Sequence, residues 1–218
     1  MSNKEIKITF FGDSICVGSG VSVHEGWVSL VSEKLQSVYS NLVVANSSVN
    51  GRTTRQALEN MPYEIQSNPP DILLIQFGMN DCNYWRTDRG LSRVSYNSFK
   101  SNLDEIINRA LYCGVKKVCL NTNHPTARTE TNLSFCDFTY QDSNKKYNAA
   151  IREIAAERSS DFRIHFFDVE EYFNDVVIEI NQYVLSSPDL LHLNSEGHKL
   201  YCSFIYPKLE SLIAEIKK

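Results

Sequence analysis

Ser14, His192 and Asp189 are residues of the types that make a nucleophile, its base and an orienting acid. Ser14 stands in the run Phe10-Phe11-Gly12-Asp13-Ser14-Ile15, at the end of the first apolar stretch. That position puts a hydroxyl where a buried strand turns into a helix. The free backbone N–H groups of the helix start then point at whatever the hydroxyl attacks. A serine hydroxyl is a weak nucleophile at neutral pH. It needs a base within hydrogen-bond reach, and the base needs a group to orient it. His192, in Asp189-Leu190-Leu191-His192, is the candidate base. Asp189 can turn back within one loop to accept a hydrogen bond from the imidazole, fixing its tautomer and stabilising the imidazolium. General-base help of this kind is worth roughly 10²–10⁴ in rate.

A tetrahedral intermediate also needs donors for its oxyanion. The Ser14 N–H, the Gly51 N–H in Asn50-Gly51 and the side-chain amide of Asn80 in Gly78-Met79-Asn80-Asp81 are groups of the required kind. Glycine lets the backbone approach closely, and an amide donates without bringing a charge. Losing one such donor costs on the order of 3–4 kcal/mol. Gly-Asp-Ser alone is a common triplet and serine an ordinary N-cap. The chemistry rests on these blocks occurring together.

The elements that must position them alternate along the chain. Short runs rich in β-branched or aromatic residues at 6–11, 42–45, 72–77, 118–121 and 164–167 predict strands buried on both faces of a parallel sheet. Amphipathic segments near 24–39, 52–67, 95–113, 140–158 and 195–216 predict helices. Phe99, Leu103, Ile106, Ile107 and Ala110 recur at helical spacing, and Gly114 is placed to end that helix. Such alternation predicts an open parallel sheet with helices on both faces, whose ligands bind at the carboxyl ends of the strands. Ser14, Gly51 and Asn80 follow the first, second and third strands. Asp189 and His192 fall in the loop before the last helix, so all can meet on one rim.

At 218 residues the chain suits one α/β domain, and no linker or internal repeat divides 1–218. Its net charge of −4 and lack of a basic stripe argue against nucleic acid as a partner. No apolar run approaches membrane-spanning length and no leader is visible, so a cytoplasmic location is expected. Cysteines 16, 82, 113, 119, 136 and 202 form no Cys-x-x-Cys pair and read as reduced and structural. Cys16 and Cys82 adjoin the motif serine and asparagine and are expected to be open to thiol reagents. No third ligand accompanies His192 and His198 at a recognisable spacing, so neither metal nor cofactor is expected. His198 reads as a packing residue. His24 and His165 read as surface or satisfied core histidines, and Asp13 and Asp81 as loop braces. The irregular stretch 122–139 is expected to lie over the rim, with His124 facing it as a candidate substrate-lining residue. Tyr84 and Trp85, in the irregular stretch 82–94, are candidates for a substrate-contacting wall.

These blocks resemble the GDSL lipase/esterase family in its SGNH-hydrolase form. The similarity runs from Gly12 to Leu200 and includes the closing block Asp189-Leu190-Leu191-His192-Leu193-Asn194-Ser195-Glu196-Gly197-His198. Ile15 stands where the family's first block has leucine, which keeps an apolar packing residue. The resemblance implies a flavodoxin-like three-layer α/β/α sandwich with a five-stranded parallel sheet, and a serine esterase that needs no metal. It makes Ser14 the nucleophile, Gly51 and Asn80 oxyanion donors, His192 the base and Asp189 its partner. The expected reaction is hydrolysis of a small-molecule short-chain ester through an acyl-serine, with an O-acetylated carbohydrate or small metabolite as a plausible substrate class. O-acyl transfer by the same residues is the alternative. A nucleotide- or phosphate-binding module is disfavoured, since neither G-x-G-x-x-G nor G-x-x-x-x-G-K-[ST] occurs. Oligomeric state is not legible in the sequence.

Overall fold

A computed structural model of the chain describes residues 5–217. Five parallel strands form its sheet: β1 (Ile6–Gly12), β2 (Leu42–Asn46), β3 (Ile72–Gln76), β4 (Lys117–Asn121) and β5 (Ile164–Phe167), in the order β2-β1-β3-β4-β5. Continuous apolar sequence has its expected consequence at the centre, where all five residues of β3 are buried. The register pairs Ile8 with Ile72 and Gly12 with Gln76, and on the other side Ile6 with Leu42.

Helices cover both faces. On one lie α1 (Ser14–Val17), α2 (Trp27–Val38), α6 (Val169–Val176) and α7 (Ser195–Ile216), with α2 and α6 packed on α7. On the other, α3 (Thr54–Met61) packs on α4 (Tyr96–Tyr112), which packs on α5 (Tyr140–Glu157). Trp27 stacks on Tyr201 at 4.4 Å between ring centroids and meets the edge of Phe10 at 5.3 Å, fastening α2 and α7 to β1. This is the three-layer sandwich, and among the described residues no helix is long and apolar enough to cross a membrane.

Two details depart from expectation. The helix expected over 52–67 ends as α3 and continues as one π turn, Pro62–Gln66. Pro62 has no N–H to give the preceding turn, so the regular bond pattern stops there. Helix α6 was not anticipated, although Asp168 caps it by accepting from the Glu171 N–H at 3.1 Å.

Strand order places the site. The chain leaves β1 for β2 on one side, then returns to β3 on the other. The carboxyl ends of β1 and β3 therefore flank a switch point, where an open sheet leaves a crevice.

Candidate active site

Ser14 enters that crevice because β1 stops and α1 begins within two residues. Asp13 is the N-cap of α1, its Oδ1 accepting from the Ile15 N–H at 3.0 Å, and Gly18 closes the helix in a left-handed conformation with φ 80°. Ser14 is the first helical residue, so its own N–H has no partner within the helix. Its side chain is largely buried, yet its Oγ lies 2.9 Å from His192 Nε2, across 178 residues of sequence.

His192 sits between an isolated bridge, Val184 to Leu193, and the turn built on Asp189. Asp189 Oδ1 accepts from the Leu191 N–H at 2.9 Å and the His192 N–H at 2.6 Å. Its Oδ2 lies 2.9 Å from His192 Nδ1. Burial disfavours ionising Asp189, but the hydrogen bonds from the His192 ring and from the two N–H groups outweigh it and hold the carboxyl below its ordinary range. An ionised Asp189 can only accept, so Nδ1 carries the proton and the Nε2 lone pair faces Ser14. A hydroxyl, imidazole and carboxylate in this order can move the Ser14 proton onto His192 as Oγ attacks.

The amide donors stand on the neighbouring loops. Gly51 follows β2 with φ +76°, a left-handed conformation suited to glycine. A Cβ built there would meet nothing within 4 Å, so its surface is open to a ligand. Asn80 follows β3, and its Nδ2 donates to Asp13 Oδ2 at 3.3 Å. The second N–H of that amide remains to serve an incoming oxygen. Behind them Asp13 and Asp81 are sealed from solvent. Burial pushes the Asp13 carboxyl up to about 7 and Asp81 up to about 6. Asp81 Oδ1 accepts from both the N–H and the hydroxyl of Thr54, tying the β3 exit to α3.

A sequence profile of the GDSL-like lipase/acylhydrolase family matches residues 10–200, which include all of these groups. The chain belongs to that family. Curated relatives include an arylesterase of Vibrio mimicus, 28% identical over 119 residues, or 55% of this chain and 56% of the relative. Esterase TesA of Pseudomonas aeruginosa is 27% identical over 114 residues, covering 52% and 53% respectively. The matched stretch thus spans about half the length of these curated relatives. Among solved structures, the lipase/acylhydrolase from Enterococcus faecalis superposes with a TM-score of 0.75 at 24% identity over 94% of this chain and 96% of that one. The acetylxylan esterase Axe2 from Geobacillus stearothermophilus does so with 0.74 at 21% identity over 94% of each.

Other expected site residues are scattered. In this GDSL-like family chain Tyr84 lines a cleft of about 510 Å³ together with Arg128, Thr131, Tyr140, Asn181 and Leu190. The cleft lies beside the Asp189 turn, where Arg128 Nε donates to the Asp189 carbonyl at 2.7 Å. Trp85 does not line it; half exposed, it covers the Arg93 guanidinium at 4.4 Å. His124 is a correction. Expected on the rim, it is wholly buried, its Nδ1 2.7 Å from the Pro125 carbonyl and its ring tilted against Phe173 at 5.8 Å. The polar run 121–124 is held inside the core by α5. Asn148 Oδ1 accepts from the Asn123 N–H at 2.8 Å, and Asn144 Nδ2 donates to the His124 carbonyl at 3.0 Å. Cys16 and Cys82 are also buried, with burial pushing Cys16 well up and Cys82 up to about 12, so neither is open to reagents. Arg93 was missed altogether. It contacts both amide loops from an irregular segment, where neither periodicity nor motif marks it.

Proposed function

We propose that the protein is a serine ester hydrolase working through an acyl-serine. The observation that carries this is the unbroken line Ser14 Oγ, His192, Asp189, with both contacts at 2.9 Å. In the first half-reaction His192 Nε2 takes the Ser14 proton as Oγ adds to the ester carbonyl. The Ser14 and Gly51 N–H groups and the Asn80 amide receive the oxyanion. Collapse expels the alcohol, which takes the proton from His192. In the second half-reaction water, deprotonated by His192, adds to the acyl carbon, and collapse releases the acid and returns the proton to Ser14. Ser14 and His192 come from opposite ends of the sequence yet share one hydrogen bond, which supports reading the chain as one catalytic domain.

We read the substrate as a small molecule carrying a short acyl group. The adjoining cleft is lined by Thr129, Thr131, Asn132 and Asn181, groups that suit an alcohol moiety rich in hydroxyls better than a long alkyl chain. A solved relative of the same fold is named an acetylxylan esterase, which agrees with an O-acetylated carbohydrate.

The test is hydrolysis of p-nitrophenyl esters from acetate to octanoate by wild type and Ser14→Ala, together with fluorophosphonate labelling. Turnover that falls with chain length and vanishes in Ser14→Ala is expected. An absence of turnover on every ester, with no label on Ser14, would overturn the assignment.

A further inference from the structure

Arg93 belongs to none of the sequence blocks, yet it touches two of them. Its Nη1 donates to Asn80 Oδ1 at 3.0 Å and its Nη2 to the Gly51 carbonyl at 3.0 Å. We propose that Arg93 is the positioning residue of the oxyanion site, its guanidinium fork tying the Asn80 side chain to the Gly51 turn so that both face one oxyanion. This rests on reading Asn80 and Gly51 as oxyanion donors.

The topology leaves the two donor loops to be joined by side chains: Asp81 bonds Thr54, three residues past Gly51, and Arg93 reaches Asn80 and Gly51 themselves. The Gly51 turn follows β2 and the Asn80 loop follows β3, and these strands lie on opposite sides of β1. Sheet pairing therefore does not join the two loops, and the fork spans the gap at the end of the strand that delivers Ser14. Transition-state stabilisation by fixed donors depends on their placement before reaction, so a tie between them acts on the rate.

Arg93 also decides which way the Asn80 amide points. A guanidinium only donates, so it holds the amide oxygen. The carboxylate form of Asp13 accepts one N–H from the other end. Together the two contacts fix which end of the amide is oxygen and which is nitrogen, and leave one Nδ2 hydrogen uncommitted. A cationic donor on the amide oxygen polarises the group and strengthens the remaining N–H.

The rest of the arginine is built for this task. Its backbone N–H donates to the Asn83 carbonyl at 2.9 Å, and the next residue, Val94, donates to the Asp81 carbonyl at 3.2 Å. Trp85 lies over the guanidinium at 4.4 Å and limits its motion. Among the described residues no carboxylate stands within ion-pair distance of Arg93. Arg52, by contrast, is paired bidentately with Glu64 at 2.7 and 2.6 Å. The hydrogens of Arg93 go instead to two neutral carbonyl oxygens of the site. Lysine cannot replace it, because an ammonium on a single stem does not reproduce a planar fork.

The experiment compares wild type, Arg93→Ala, Arg93→Lys, Asn80→Ala and the double variant Arg93→Ala/Asn80→Ala on p-nitrophenyl acetate. Arg93→Ala should lower kcat roughly 10- to 100-fold with KM nearly unchanged. Arg93→Lys should stay near the alanine variant. In the Asn80→Ala background the same change should cost clearly less than in wild type, because one of the two donors it ties is gone. Equal costs in both backgrounds, or an effect on KM alone, would overturn the proposal. Should Arg93→Ala lose its near-ultraviolet circular dichroism, Arg93→Met, which keeps an unbranched stem without the fork, takes its place in the cycle. Wild-type turnover that requires Ser14 but ignores Arg93 would sink only the role of Arg93. A wild type without turnover or fluorophosphonate labelling would sink the esterase reading beneath it.

Discussion

Asn80 gives one amide hydrogen to Asp13, Nδ2 to Oδ2 at 3.3 Å, and Asp13 is completely sealed from solvent. A buried carboxyl thus stands directly behind a proposed oxyanion donor, while its other oxygen caps the helix that begins at Ser14. Asp13→Asn would set an amide NH₂ against the amide of Asn80, since the capping oxygen must stay an acceptor for Ile15. Turnover should fall roughly 10-fold or more, with the loss in kcat. A loss confined to KM would show that Asn80 binds substrate without serving the oxyanion.

The same residue makes a prediction about stability and pH. Burial raises Asp13 from 3.8 to about 7, so the folded protein keeps a proton that the unfolded chain releases near 3.8. The folded state binds more protons across that window. This contribution to stability is complete below about 4 and is lost as pH rises to about 7. Asp81, raised to about 6, acts in the same direction. Buried His124 and His198 act oppositely: burial lowers them from 6.5 to about 3 and about 4, so their contribution is lost as pH falls. The two pairs oppose one another, so the wild-type curve alone does not isolate Asp13. The difference in thermal midpoint between Asp13→Asn and wild type should move in favour of the variant from about pH 4 to 7, then level off. A difference constant with pH would mean that Asp13 titrates as an ordinary aspartate.

Asp189→Asn separates orientation from packing. Asp189 Oδ1 must accept from the Leu191 and His192 N–H groups, so the asparagine oxygen takes that place. Its NH₂ then faces His192 Nδ1 and forces the proton onto Nε2, toward Ser14. With the base in the wrong tautomer, kcat should drop roughly 10³–10⁴-fold while the thermal midpoint barely changes. Near-normal turnover would remove Asp189 from the proton relay.

Much of this architecture was legible in the chain. The strands were, because runs such as Ile72–Gln76 are apolar throughout and only a doubly covered sheet buries them all. The meeting of Ser14 with His192 was, because Ser14 follows a strand on the rim that the loop before the last helix can also reach. Arg93 was not: its partners lie 13 and 42 residues away, and only the fold brings their loops together. His124 misled for a related reason. A polar run after a strand reads as a solvated loop, but here asparagines on α5 hydrogen-bond its backbone inside the core.

The Gly51 turn is braced by Arg52, which is almost wholly buried and paired with Glu64. Glu64→Gln removes the charge but keeps one acceptor. It should cost about 1–3 kcal/mol, less than the full penalty of a buried charge left alone because Glu64 is partly exposed. For a chain of this size that is about 2–4 °C per kcal/mol in thermal midpoint, read by calorimetry. A midpoint equal to wild type would show that water replaces the carboxylate at the Arg52 fork.

Gly197 lies in the first turn of α7, five residues after His192, with its N–H bonded to Asn194 Oδ1 at 3.0 Å. Helix propensity alone would reward Gly197→Ala with about 1 kcal/mol. The packing forbids it. A Cβ at 197 would come within 2.1 Å of the Tyr183 carbonyl oxygen and 2.8 Å of Leu193 Cδ2. The first is a backbone atom fixed from the other side, because Tyr183 O accepts the Asn194 N–H at 3.0 Å. Either α7 moves away from the loop or the loop moves with His192. Overpacking of this kind costs about 1–3 kcal/mol or more and outweighs the propensity gain. Gly197→Ala should therefore lower the thermal midpoint and reduce kcat as well, since the Ser14–His192 contact depends on that loop. A variant that is less stable but fully active would show that the strain is absorbed by α7 alone, leaving the His192 loop in place.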